Sequence, residues 1–168
     1  MGPRRSAALL LAFSALAGCG GGGGSEAAAP EDGGRVARVV DGDTLIVAID
    51  GDERRVRLLG VDAPESVTPD RPVECFGPQA AAAARALMPR GARVTLATDP
   101  TQGVEDRFGR LLAEVTVAGD GLTVNERLVR DGAAEVFRGD GRALLLPRLR
   151  EAEAQARREG RGLWGACR

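Results

Sequence analysis

The sequence predicts an α+β, mainly β fold, a small five-stranded barrel with three helices in one domain spanning Arg35–Arg168. Three observations carry that prediction. Short runs rich in β-branched residues recur, with Asp-Gly turns between the first of them. Three stretches of helical spacing accompany them, each with Pro or Gly at a boundary. The segment is also of single-domain size, long enough to bury most of its apolar side chains.

Arg35–Val40 and Thr44–Ile49 read as a hairpin around Asp41-Gly42, and Asp50-Gly51-Asp52 turns the chain into a third strand, Arg54–Val61. An alanine-rich helix follows over Pro78–Met88, ending before Pro89. Arg93–Thr98 and Leu111–Val117 supply two more strands, and five strands in meander-like order suggest a closed barrel rather than a sandwich. Thr123–Arg130 carries Val124, Leu128 and Val129 at helical spacing and stops at Asp131-Gly132. Leu146–Glu159 has Pro147 near its start and Gly160 at its end, and Leu163-Trp164 beyond it reads as a packing plug.

Residues 1–18 stand apart from the domain. Arg4 and Arg5 precede an apolar run, Ala7–Ala17, that is too short to span a bilayer. The run ends in Leu16-Ala17-Gly18-Cys19, which resembles the lipobox of bacterial lipoprotein signal peptides. That resemblance implies export, lipidation of Cys19 and attachment to a membrane of the cell envelope, the alternative being an ordinary secretory signal. Residues 19–34, with five consecutive glycines, cannot bury enough apolar surface to fold and read as a flexible tether.

Arg35–Arg168 contains 21 arginines and 21 acids, and the chain has no lysine. A domain without net charge lacks the basic field of proteins that wrap DNA, but local phosphate capture in one cleft stays open to it. Cys75 and Cys167 form an even pair that an oxidising compartment favours closing into a disulfide, with two free thiols as the alternative.

The chemistry-bearing residues fall in three short segments: Asp41-Gly42-Asp43-Thr44, Arg57 through Asp62-Ala63-Pro64-Glu65, and Asp106-Arg107-Phe108-Gly109-Arg110. With no histidine in the chain, carboxylates and guanidinium groups must do the work. That inventory suits a hard metal ion and two arginines gripping a phosphodiester while a carboxylate activates water. Pro64 restricts Ala63 to extended geometry, which makes its carbonyl available as a ligand. Strand alternation sets Arg57 and Asp62 on opposite faces, so a common cleft requires a bulge or strand end near Gly60.

Together these segments resemble the thermonuclease (staphylococcal nuclease-like) family, an OB-fold barrel with three helices. The resemblance runs from about Val39 to Trp164 and extends to Phe76-Gly77-Pro78, Val124-Asn125-Glu126, Leu128-Val129-Arg130, Glu153-Ala154-Gln155-Ala156 and Leu163-Trp164. It implies a monomeric Ca²⁺-dependent nuclease that cleaves DNA and RNA to 3′-phosphate products. On this reading Asp43, Asp62 and the Ala63 carbonyl hold Ca²⁺, Glu65 activates water, and Arg57 and Arg110 hold the scissile phosphate. Arg107 and Phe108 are candidate substrate contacts. The family's tyrosines are missing: Phe108 stands where one is expected before Gly109, and Arg138 lies near the place of another. The rival readings are a non-catalytic OB-fold module and an envelope lipoprotein with a structural role.

Overall fold

The computed structural model describes residues 2, 33–66, 72–139 and 141–167. The candidate signal peptide, Cys19 and most of the tether lie outside the described residues. Strand β1 (Gly33–Val39) pairs antiparallel with β2 (Thr44–Ile49), and β2 with β3 (Asp52–Leu58). Gly33 and Gly34, read from sequence as spacer, already belong to β1. The third strand stops at Leu58, earlier than its apolar pattern suggests. Gly60 then turns the chain with φ of 72°, a left-handed conformation that glycine adopts without a Cβ penalty. A separate two-residue strand, β4 (Val61–Asp62), continues beyond the turn.

Helix α1 (Gly77–Leu87) leads to β5 (Arg93–Ala97) and β6 (Leu111–Val117), which pair antiparallel. β5 also pairs antiparallel with β1, and β6 pairs parallel with β3, so the order β1-β2-β3-β6-β5 closes a barrel. The meander expected from sequence therefore holds only for the first three strands. Parallel neighbours require a crossover connection, and here α1 and β5 supply it.

Helix α2 (Val124–Arg130) is capped by the Thr123 hydroxyl, which accepts from the Glu126 amide at 3.3 Å. After it, β7 (Glu135–Val136) pairs with β4. Helix α3 (Leu146–Glu159) ends at Gly160 in the left-handed region, and a four-residue helix, α4 (Leu163–Ala166), follows. Leu163 is buried as a plug, whereas Trp164 is only half-buried, its ring under the Arg157 guanidinium at 3.9 Å.

The barrel interior holds Val36, Leu45, Val47, Val56, Leu58, Val94 and Val115, continuous with Ala80, Ala84, Leu128 and Leu149 from the helices. Among the buried polar side chains of the described residues, Asn125 lies deepest. Asn125 is fully buried; its Oδ1 accepts from the Val115 amide, and its Nδ2 donates to the carbonyls of Leu59 and Ala113. It thereby ties α2 to the residue preceding the Gly60 turn. A disulfide joins Cys75 to Cys167, fastening the end of the chain to the approach of α1.

Candidate active site

Asp43 occupies the end of the first hairpin. Its amide donates to Asp41 Oδ1 at 3.1 Å, a local turn that directs the chain into β2, and its carbonyl accepts from the Leu58 amide. The carboxylate points inward, with one-tenth of the side chain exposed. Oδ1 accepts from the Thr44 hydroxyl at 3.0 Å, and Oδ2 accepts from the Ala63 amide at 3.0 Å and from Arg57 at 2.9 Å. Burial pushes this carboxyl up to about 7, although the Arg57 guanidinium pulls the other way.

Arg57, near the end of β3, is held on several sides. Nη1 donates to the Val61 carbonyl at 2.6 Å as well as to Asp43, and Nη2 reaches Asp62 Oδ1 at 3.2 Å. The strand break at Gly60 makes this possible: it resets the alternation between Arg57 and Asp62 and brings both to one side. The Asp62 side chain is 57 % exposed, yet burial still raises its carboxyl above the ordinary value, with Arg57 opposing and nearby Glu74 adding to the rise.

Glu65 follows Asp62 by three residues, and its backbone is clasped by Glu74. The Glu65 amide donates to Glu74 Oε2 at 3.1 Å, and the Glu74 amide donates to the Glu65 carbonyl at 3.0 Å. Cys75 of the disulfide comes next in the chain, then Phe76 with φ of 69°, a strained value for an aromatic residue, at the start of α1.

The third segment forms a turn ahead of β6. Asp106 Oδ1 accepts from the Phe108 and Arg110 amides, and Oδ2 accepts from Arg110 Nε at 2.7 Å. Burial alone would raise this carboxyl, but the Arg110 and Phe108 donors hold it below the usual carboxylate range. Asp106 thus aims Arg110, whose guanidinium also lies 5.4 Å from the centre of the Phe108 ring.

The second and third segments meet in a cleft of about 510 Å³. Arg57, Arg107, Phe108, Arg110, Asp106 and Phe137 line it, over a floor that includes Leu58, Val61 and Leu112. Asp43 and Asp62 border it through Arg57. Glu65 is not among the lining residues. Sequence reasoning overlooked Phe137 and Glu74; the one available signal was that any aromatic outside the strands is unusual in a chain so poor in them.

The donors near Arg57 fit a hard, oxygen-seeking cation. Two carboxylates share one guanidinium, and burial raises both carboxyls despite it, so the site is short of positive charge. No histidine is available, and Cys75 and Cys167 are bonded to each other. Among the described residues no three acidic or sulfur side chains converge as a metal-binding group, so a cation here would depend on waters and substrate for the rest of its coordination.

Comparison with known proteins agrees with this architecture. Residues 55–166 match the family model described as Staphylococcal nuclease homologue. The thermonuclease of Staphylococcus hyicus is 33 % identical over 130 residues, covering 77 % of this chain and 74 % of that protein. The thermonuclease of Staphylococcus intermedius is 34 % identical over 131 residues, with the same two shares. An Escherichia coli protein described as an uncharacterized endonuclease is 37 % identical over 131 residues, covering 78 % of this chain and 76 % of its own length. The barrel, its three longer helices and these matches place the chain in the staphylococcal nuclease homologue family.

Proposed function

We propose that this protein is a nuclease that hydrolyses phosphodiester bonds of DNA and RNA with the help of Ca²⁺, leaving 3′-phosphate products. The observation that carries the reading is the position of Arg57: it bridges Asp43 and Asp62 while lining the same cleft as Arg110. The cation site and the phosphate site therefore adjoin. Asp43, Asp62 and the Ala63 carbonyl would hold Ca²⁺. When bound, the cation supplies Lewis-acid polarisation of a phosphate oxygen and neutralises its charge.

Arg57 and Arg110 grip non-bridging phosphate oxygens, since planar guanidinium forks suit them and remain charged throughout. Glu65 accepts the proton of the attacking water as its oxygen bonds to phosphorus; the bond from phosphorus to the 5′ oxygen breaks, and the leaving oxygen takes a proton from solvent to become a 5′-hydroxyl. Asp106 holds Arg110 in place, and the Glu74 clasp holds the Glu65 backbone. A general base supplies roughly 10²–10⁴-fold in rate, and a preorganised charged donor a similar amount. Arg107 and Phe108 flank the cleft as substrate contacts. The leader residues support export, with Cys19 as the lipid-bearing anchor to the envelope membrane and residues 20–32 as spacer.

The test is hydrolysis of single-stranded DNA by purified protein with Ca²⁺ or with chelator. Glu65→Gln and Arg110→Ala should each slow turnover at least about a hundredfold. Unchanged cleavage in chelator refutes the metal-dependent mechanism. Binding of the DNA without cleavage in any condition points instead to a non-catalytic OB-fold module.

A further inference from the structure

This domain without net charge carries its arginines unevenly. Val56 and Leu58 of β3 belong to the barrel interior, so alternation sets Glu53, Arg55 and Arg57 on the outer face. Arg38 of β1 pairs with Glu53 at 3.3 Å, which places it on that face too. Ile46 of β2 lies opposite both Arg38 and Arg55, so these two arginines flank a single residue. Arg57 is two positions along β3 from Arg55, and at the usual strand spacings the backbone distance from Arg57 to Arg38 is roughly 12 Å.

Beyond Arg38 a second hollow, of about 230 Å³, opens between β1 and the end of α1. Arg38, Arg85 and Arg90 line it with Ala37, Val39 and Met88. The turn that carries Arg90 is fastened to β1: the Gly91 amide donates to the Val36 carbonyl at 2.7 Å, and the Val36 amide donates to the Ala92 carbonyl at 2.9 Å. Among the described residues Glu53 is the one acid paired with any of the three arginines, and Arg55 has no ion-pair partner. Arg35 and Arg93, both exposed, stand directly opposite each other on β1 and β5, a juxtaposition of like charges that costs stability. Internal ion pairing therefore does not account for this concentration of charge.

We propose that this face is a second phosphate-binding site, on which a single nucleic-acid strand leaving the cleft lays its backbone. The strand passes from Arg57 by way of Arg55 and Arg38 to Arg85 and Arg90. The proposal rests on the nuclease reading above and extends it from the cleaved bond to the strand beyond. Guanidinium groups neutralise successive phosphates and release their counterions whatever the base sequence. OB-fold grooves hold roughly 4–16 nucleotides of a single strand, so a site that continues past the cleft is in scale. An anionic membrane presents phosphates as well, but the row of charges begins at Arg57, inside the cleft, and that continuity favours the strand.

The test replaces Arg85 and Arg90, both exposed and outside the catalytic set, with glutamine, which keeps helical propensity and loses the charge. Binding of a labelled thymidine dinucleotide and of a twelve-nucleotide oligothymidylate is read by fluorescence anisotropy. The background is Glu65→Gln with chelator, so that nothing is cleaved. Arg85→Gln with Arg90→Gln should weaken binding of the longer strand about tenfold and lower its salt slope by roughly 1.4, two contacts at about 0.7 each. The dinucleotide, with a single internal phosphate, cannot occupy Arg57 and the hollow at once, and its affinity should change less than about twofold. Equal loss on both lengths, or none on the longer strand, overturns the proposal.

Arg85→Lys with Arg90→Lys keeps the charge and should return the longer strand to within about threefold of the parent's affinity; failure to do so means that something other than charge was lost, and overturns the site. Vesicles of phosphatidylglycerol, compared with phosphatidylcholine, give the remaining arm. If the glutamine pair loses binding to the anionic vesicles while the longer strand binds as before, the face serves a membrane and the proposal falls. If wild type with Ca²⁺ cleaves nothing while the length-dependent loss is seen, the nuclease reading fails and the strand site stands.

Discussion

Removing the Arg57 side chain tests whether one guanidinium is the internal counter-ion of the site. Asp43 has an ordinary carboxyl value of 3.8 and is pushed up to about 7 in the fold, chiefly by burial and in spite of Arg57. Holding it ionised above pH 7 therefore costs roughly 4 kcal/mol relative to the unfolded chain, at about 1.4 kcal/mol per pH unit. The sign follows from the proton count. Between about pH 4 and 7 the folded chain keeps a proton that the unfolded chain has lost, so this contribution to stability is full below about pH 4 and is lost as pH rises through about 7.

Arg57→Ala raises the Asp43 carboxyl further, and its cost depends on pH. Above pH 7 the variant must bury an unpaired carboxylate or keep it protonated, and breaking such a pair costs roughly 3–5 kcal/mol. At pH 5.5 Asp43 is mainly protonated with or without Arg57, which leaves the lost hydrogen bonds to the Val61 and Leu58 carbonyls, about 1–3 kcal/mol. Urea unfolding at pH 5.5 and 8.5 in chelator, wild type against variant, reads both numbers. Equal losses at the two pH values would refute the counter-ion argument. Added Ca²⁺ at pH 8.5 should then stabilise the variant more than wild type, because Asp43 and Asp62 have both lost the guanidinium that pairs with them.

Two other predictions concern covalent features. The Cys75–Cys167 bond spans 92 positions, and loop-closure arithmetic allows it roughly 4–5 kcal/mol before strain. Reduction should lower the melting temperature by roughly 5–15 °C, read by calorimetry. Cys75→Ala with Cys167→Ala should still cleave DNA well below that transition, since no proposed step uses a thiol; loss of activity in a folded variant would instead mean that the bond positions Glu65 through Glu74. Cys19→Ala should move the protein from the membrane fraction to the soluble exported fraction, and an unmodified Cys19 in mass spectra of the wild type would rule out lipidation.

Much of the fold was legible because local chemistry and tertiary structure agree. The hairpin at Asp41-Gly42, the Thr123 cap with Glu126 three residues on, and the Gly160 stop are each written in adjacent residues. The need for a break near Gly60 was also readable, since alternation alone would have separated Arg57 from Asp62. The candidate residues themselves could be picked out because their side chains have few structural reasons to occur together in this order.

Other features had no local signature. Parallel pairing of β3 with β6 depends on where a crossover deposits a strand, which no run of residues encodes. Burial of Asp43 depends on Ala63 and Arg57 arriving from elsewhere in the chain, and only burial moves its carboxyl toward neutrality. Phe137 reads as one more apolar residue until the β4–β7 pairing hangs it from Gly60 over the cleft. Side-chain chemistry and spacing along the chain suffice to say which groups are present and where the five longer strands and three longer helices run, but not the two-residue strands β4 and β7 or the short helix α4. Which of those groups face one another, and how dry their surroundings are, emerges in three dimensions, because distance and solvent exclusion arise between segments far apart in sequence.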